Sequence, residues 1–421
     1  MAFNGITLKT DYPQNEYPYK QQDIANINRI FEPFGLHVDD VKEGSQVIRY
    51  IIHLPLDIQI QGKIRRAAKD IEYTLISALK TSDVSYSHIE DTLVIERRGM
   101  FNIIPFGKLY TVDFECSSTM TTAVLGQDMN GDPVYLDIAK APHILVAGTT
   151  GSGKSETMHS IIASLIMHNI YSRISKERVI INIIDMKGTE YNKYRNAPVE
   201  IINDEETAFS HLEELCRKME ARYQMFAENN CDDIEEFIQK GNRLSRTICF
   251  IDEFADLILR NRKVEDYVVR LAQKSRACGI HLVIGTQSPR ADVVTGLVKA
   301  NVPCRIALNT SNSMESRIIL DEVGAEKLLG KGDMLIKIGG QSPIRVQGCF
   351  VCDSDKINLT KLSEKTYGKT IIIPTKSPQD IKIQLAQNTP PKKVGLIQGL
   401  KNIWNAPQCT TPRDYWTILN D

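Results

Sequence analysis

What this 421-residue sequence lacks sets its first limits. No run approaches the ~18 uninterrupted apolar residues of a membrane-spanning helix, so no membrane insertion is expected. There is no excess of either charge: 51 Lys and Arg stand against 52 Asp and Glu, a formal net charge of −1. That excludes a histone-like basic coat, and any nucleic-acid contact must come from a local cluster. No secretory signal is recognisable. The nine cysteines are odd in number and irregular in spacing, which points to a reducing cytoplasm and away from a disulfide framework. Cys349 and Cys352 make a C-x-x-C without the second Cys or His pair that zinc needs. They accompany the alternating run Arg345–Val351 and read as buried strand cysteines.

What is present is ordinary globular material, 42% hydrophobic and 24% charged, in a length that suggests two or three domains. Residues 1–22 are polar and rich in Tyr, Pro and Asn, which predicts a flexible arm. Residues 23–109 mix periods and predict a small α+β domain. Ile24, Ile27, Ile30 and Phe31 recur at helical spacing before Pro33, Val47–His53 and Thr92–Ile95 read as strands, and Ile64–Leu79 reads as an amphipathic helix. Residues 110–354 alternate short apolar strands with helices. The strands are His143–Ala147, Val179–Asp185, Thr247–Ile251, His281–Gly285 and Arg305–Leu308, with the turn Asn130-Gly131-Asp132 joining two more. Nearly continuous apolar strands between helices fit a parallel sheet covered on both faces, an α/β fold. Residues 355–421 lose periodicity and predict a C-terminal tail, in which Val394–Trp404 could form a short amphipathic helix; the tail reads as a partly ordered segment that packs back on the body or, alternatively, as one that docks a partner.

The chemistry begins at Gly148-Thr149-Thr150-Gly151-Ser152-Gly153-Lys154-Ser155, a G-x-x-x-x-G-K-S pattern. It sits between the strand His143–Ala147 and the helical run Glu156–His168. Glycines there let backbone N–H groups curl around phosphate oxygens, and the helix N-terminus favours negative charge. Lys154 would neutralise the outer phosphates of ATP, and the Ser155 hydroxyl would ligate Mg²⁺. The strand Thr247–Ile251 ends in Asp252-Glu253. Asp252 is placed to support the metal and Glu253 to polarise an attacking water. Gln287 follows the strand His281–Gly285 toward the same sheet edge, where a neutral amide could sense the γ-phosphate or orient water. Asp185 ends another strand and has two readings: a helix-capping acid, or a residue of a subunit interface.

These residues lie in a longer likeness. "PHILVAGTTGSGKS" (Pro142–Ser155), "IDEFADLIL" (Ile251–Leu259), "RLAQKSRACGIHLVIGTQ" (Arg270–Gln287), "DVVTGLVKANVPCRIAL" (Asp292–Leu308) and "GAEKLLGKGDML" (Gly324–Leu335) resemble the motor of the FtsK/SpoIIIE family of DNA translocases, in the family's order. Residues 23–109 resemble that family's alpha domain more weakly, through Gly44–Tyr50 and the helix containing Ile64–Leu79. The resemblance implies a RecA-like motor, a homo-hexameric ring around double-stranded DNA, and ATP bound between neighbours. It implies that Arg276 is an arginine finger reaching into the adjacent subunit. Lys299 and Arg317 match basic positions used on the DNA backbone. Ser288 and Ser313 stand where the family is often basic, with Arg290 as a substitute for the first. Asp185-Met186-Lys187 departs from the family's Asp-Pro-Lys.

Neither the membrane-spanning region of cell-division members nor the sequence-reading gamma domain is recognisable. A stripped cytoplasmic motor for a phage, plasmid or other mobile element is therefore expected, recruited by a partner through the tail. Rival readings are a protein-moving ATPase of the type VII secretion kind, a conjugative coupling or DNA-packaging ATPase, and a scaffold that binds ATP without turnover. One motor with an alpha-like module favours DNA. Intact Lys154, Asp252, Glu253 and Arg276 speak against the scaffold.

Overall fold

The structure is a computed structural model that describes residues 2–367, apart from 4, 5, 15, 82, 83, 90, 172–177 and 196. The N-terminal module is a four-stranded antiparallel sheet in the order Asp40–Glu43, Val47–His53, Thr92–Arg98, Val84–Ile89. Alternation along Val47–His53 sends Ile48, Tyr50 and Ile52 to one face, where they meet Ile27 and Phe31 of the helix Lys20–Phe31 and Leu75 of a second helix. The helix expected over 64–79 is two helices, Ile58–Arg66 and Ala68–Leu79, hinged at Ala67 (φ −88°, ψ 4°). Asp57 caps the first by accepting from the Gln59 and Ile60 amides. No Gly or Pro marks the hinge.

The larger part is a ten-stranded sheet. Its first six strands run Val199–Ile202, Val179–Ile184, Arg246–Ile251, Ile280–Thr286, His143–Ala147, Cys304–Leu308, and every neighbouring pair is parallel. Asp333–Ile338, Ile344–Gly348, Thr122–Asp128 and Pro133–Asp137 extend it as an antiparallel meander. All five residues of His143–Ala147 are buried, as a strand covered on both faces must be. One face is covered by the helix Lys154–Tyr171, whose Met158, Ile161, Ile162, Leu165 and Ile166 are fully buried. Each such side chain contributes about 1.5–3 kcal/mol of transfer free energy.

The N-terminal end of the described chain departs from expectation. In place of a free arm, Leu8 is only 1% exposed and joins the main core. Lys9 donates its backbone N–H to Asp355 (3.1 Å), and the rings of Tyr12 and Phe350 meet edge-on. A single apolar anchor inside a polar stretch gives no periodicity to read. The start of the expected tail packs back on the body: Asp353–Tyr367 is a helix set against the helix Lys154–Tyr171. Leu359 sits in the core and Thr360 donates to the Lys193 carbonyl (2.8 Å). The remainder of that tail, Val394–Trp404 included, lies outside the described residues. Cys349 is buried with its sulfur 3.0 Å from Ser160 Oγ, and burial pushes its thiol up to about 12. Among the described residues no His, Cys, Asp and Glu group is arranged to hold a metal on its own. None of the described helices is long and apolar enough to cross a membrane.

Two histidines begin adjacent strands and are buried inside the sheet. His143 Nδ1 accepts from the Leu282 amide (3.2 Å), and His281 Nδ1 lies 3.0 Å from the Pro142 carbonyl. Burial above all lowers them to about 3 and about 4 respectively. A folded-state value below the unfolded one means the folded chain gains stability above pH 6.5 and loses it as pH falls toward those values. At pH 5.5 the loss is about 1.4 kcal/mol per histidine. Chemical denaturation at pH 7.5 and 5.5 should therefore show a smaller pH penalty in His143→Gln than in the unaltered chain. An equal penalty in both would show that His143 is not a source.

Candidate active site

The parallel register builds the site. Ala147 pairs with Thr286, Ile284 with Ile251, and Ile251 with Ile184. The residues that follow each strand, Gly148–Ser155, Gln287, Asp252-Glu253 and Asp185, therefore emerge along one edge. This is the edge at which open α/β sheets bind ligands. In the loop, Gly151 (φ 79°) and Gly153 (φ 110°) take backbone conformations that side chains resist. A Cβ on Gly153 would also lie 2.4 Å from the Gly332 nitrogen, so only glycine fits.

Lys154 is 3% exposed, and its Nζ donates to both the backbone carbonyl (2.5 Å) and Oδ1 (2.8 Å) of Asp252. Tyr191 also donates to Asp252 Oδ1 (3.0 Å). Its phenol is pushed well above the ordinary range, first by burial and then by the Asp252 carboxylate, so it stays a donor. Glu253 is held by both oxygens: Oε1 accepts from Thr286 Oγ1 (2.7 Å) and Oε2 from the Gln287 amide (2.8 Å). The Gln287 side chain accepts from Thr150 Oγ1 (2.9 Å), so it touches the phosphate loop directly.

Asp185 caps a loop where a helix was expected. It accepts from the amides of Gly188 (3.0 Å), Glu190 (3.2 Å) and Tyr191 (3.4 Å). That loop supplies two residues that sequence reasoning missed. Tyr191 reaches Asp252, and Glu190 Oε1 lies 3.2 Å from His159 Nε2. His159 stands one helical turn beyond Ser155, on the same face. The His159 hydrogen bond, and more weakly Lys356 and the Ser155 hydroxyl, hold Glu190 below the usual carboxyl range against the effect of burial. Nothing in the spacing singles out Glu190, because the loop path is set by Asp185.

The residues present fit an Mg²⁺-nucleotide. An ammonium, a hydroxyl, two carboxylates and an amide meet a glycine cradle, and the buried Ser152 hydroxyl has no protein partner. Ser155 and Asp252 are the groups that would hold the metal, with Glu190 beside them.

Arg276 is not part of this constellation. It lies exposed in the turn between the helix Lys263–Lys274 and the strand Ile280–Thr286, at the opposite sheet edge. Seven strand residues separate the two edges, roughly 20 Å. A 530 Å³ cleft lined by Arg276, Asp233, Glu235, Lys140 and Arg246 opens beside it.

The expected DNA contacts are unequal. Lys299 Nζ is engaged with Asp321 (2.8 Å), which also takes Arg305 (2.5 Å). Arg290 lies 3.4 Å from Asp292. Arg317 is exposed on the helix Ser313–Leu320, one turn before Asp321. Arg305 and Lys337, paired with Asp321 and Glu322, add to the basic cluster and carry no sequence signal that would have singled them out.

Known proteins resemble this chain in sequence and fold. The FtsK/SpoIIIE family matches residues 111–249 and 239–291. The DNA translocase SftA of Bacillus subtilis (strain 168) is 38% identical over 339 residues, 76% of this chain and 34% of that protein. The DNA translocase FtsK of Bacillus anthracis is 35% identical over 371 residues, 81% of this chain and 45% of that one. The chain thus spans less than half the length of these curated relatives. Among solved structures, the pCW3 conjugation coupling protein TcpA, in a monomer form with ATPγS, is 25% identical with a TM-score of 0.57, covering 82% of this chain and 99% of that one. EssC (ATPases 2 and 3) of Geobacillus thermodenitrificans shares the fold at 18% identity and a TM-score of 0.52, over 61% of this chain and 52% of that one. A P-loop ATPase fold, the motifs in family order and relatives at this identity have one reading: the chain belongs to the FtsK/SpoIIIE family.

Proposed function

We propose that the chain binds ATP with Mg²⁺ and hydrolyses it to move double-stranded DNA through a homo-hexameric ring. The observation that carries this reading is the split of the machinery between two sheet edges. Lys154, Ser155, Asp252, Glu253 and Gln287 share one edge, while Arg276 occupies the other, beyond reach of its own site. A neighbour's Arg276 completes each site, and hydrolysis depends on assembly.

Lys154 binds the β- and γ-phosphates, giving up its bonds to Asp252 for phosphate oxygens. Asp252 and Ser155 would then hold the metal, whose positive charge would relieve the charge on the phosphates. Tyr191 holds the Asp252 carboxylate in orientation. Glu253, anchored by Thr286 and Gln287, draws a proton from the attacking water. Gln287 links that base to Thr150, so γ-phosphate loss is reported to both. DNA is held by its backbone, which suits a motor that must track any sequence. The TcpA likeness, over 82% of this chain and 99% of that one, favours a second reading in which the same motor serves conjugative DNA transfer. Cytoplasmic location, and recruitment by a partner that grips residues 368–421, complete the proposal.

The test is the ATPase rate measured with and without linear duplex DNA at low salt. Lys154→Ala should abolish turnover, and Glu253→Gln should retain nucleotide while losing about 10²–10⁴-fold in rate; a rate indifferent to DNA in the unaltered chain would sink the DNA reading. Arg276→Ala should keep ATP affinity and lose about 10³-fold or more in hydrolysis. Mixed with Lys154→Ala, it should regain activity, since each subunit supplies what the other lacks; no rescue at any ratio counts against a finger in trans. Arg317→Ala should raise the DNA concentration needed for half-stimulation. It should also flatten the salt dependence, by roughly 0.9 in log–log slope for each phosphate no longer neutralised. Lys299→Ala should do less, because Asp321 already holds that ammonium. The reverse order would refute this assignment.

A further inference from the structure

The turn between residues 329 and 333 is wedged between the N-terminal module and the phosphate loop. Its backbone is unusual: Gly330, Lys331 and Gly332 have φ of 75°, 52° and 90°, three left-handed residues in succession. Lys331 is the non-glycine member and carries the strain of that conformation. On one side, the Gly332 amide donates to the Ser152 carbonyl (2.7 Å). Gly332 and Gly153 are also backbone to backbone, with no room for a Cβ on Gly153.

On the other side stands Gln46, 5% exposed, at the start of the module's strand Val47–His53. Its Nε2 donates to the Gly330 carbonyl (2.9 Å) and to Gln347 Oε1 (2.7 Å). Gln347 Nε2 in turn donates to the Lys331 carbonyl (2.9 Å). The turn has a second anchorage on the module. Asp333 accepts from the Leu329 amide (2.8 Å) and from Arg345 (2.7 Å), and Arg345 reaches Glu96, which is paired with Arg49. Lys331 Nζ lies over the Phe101 ring, 5.0 Å from its centre.

We propose that Gln46 is a positioning residue for the phosphate loop, and that the turn it grips couples nucleotide binding at Gly148–Ser155 to the docking of the N-terminal module. This rests on the reading of that loop as the nucleotide site. Two backbones in contact cannot be compressed, so a shift of Ser152 or Gly153 around a phosphate moves Gly332. Gln46 and Gln347 hold the carbonyls of the two preceding residues, so Gly332 moves only if they follow. Both glutamines are buried, and breaking either bond strands a polar group. Coupling of this kind is reciprocal: what nucleotide does to the module's docking, docking does to nucleotide affinity, typically by roughly 5–150-fold. The device makes the module a sensor of the occupied loop, whatever cargo the motor carries.

The test uses the full chain, ATPγS with Mg²⁺, and amide hydrogen exchange beside equilibrium titration. ATPγS should slow exchange in 148–155 and, in the same protein, in 44–49 and 329–333. Gln46→Leu, of similar volume and without the donor, should weaken ATPγS at least about 5-fold and abolish the nucleotide-dependent change at 44–49. A merely structural Gln46 would change basal exchange in the variant and leave the nucleotide-dependent part intact. Protection confined to 148–155 in the unaltered chain, or unchanged affinity in Gln46→Leu, overturns the inference while the nucleotide site stands. The first of these needs no variant to fold. Absence of protection at 148–155 would overturn the nucleotide reading and the inference together.

Discussion

Parallel pairing of the strands Val179–Ile184, Arg246–Ile251, Ile280–Thr286 and His143–Ala147 is the constraint on which everything else depends. Parallel strands share a direction, so whatever follows each one appears at the same edge. Four segments far apart in the chain thereby deliver an ammonium, carboxylates, an amide and a glycine cradle to one place. Their backbone donors and acceptors are used up in the ladder, which leaves side chains to do the positioning. The Lys154–Asp252 pair shows the cost and the gain. Two buried charges neutralise each other, and Tyr191 supports the carboxylate.

The same direction that assembles one edge sends Arg276 to the other. A guanidinium at the start of a strand cannot serve a site at that strand's end. Dependence of the proposed hydrolysis on a neighbour is thus a consequence of sheet polarity, and requires no mobile element. The basic cluster around Asp321 is built on different terms. Asp321 and Glu322 neutralise Lys299, Arg305 and Lys337 locally, which stiffens those side chains and leaves Arg317 exposed beside them.

Around the motor, the additions act as braces. Residues 8–12 and the helix Asp353–Tyr367 close on the helix that follows the phosphate loop. Lys356, 4% exposed, faces Glu156 of that helix, and Lys193 pairs with Asp353. On the opposite flank, the N-terminal module grips the 329–333 turn. The loop that meets phosphate is therefore held from its C-terminal helix and from its neighbouring turn.

The sequence by itself determined a good deal. The strands Val47–His53 and His143–Ala147 were legible to the residue, because buried and half-buried strands are short apolar runs between polar breaks. Lys154, Ser155, Asp252 and Glu253 were legible because glycine, lysine and paired acids carry their chemistry at fixed local spacing. What the sequence could not disclose was anything that depends on two distant segments meeting. Glu190 and Tyr191 enter the site only because Asp185 folds their loop back. Leu8 is core only because Gly107 leaves it room. Lys299 loses its freedom to an aspartate 22 residues away, and Gln46 finds its partners nearly 300 residues on. Local pattern encodes propensity and chemistry; the tertiary structure alone decides which polar groups are paired, and so which remain free to act.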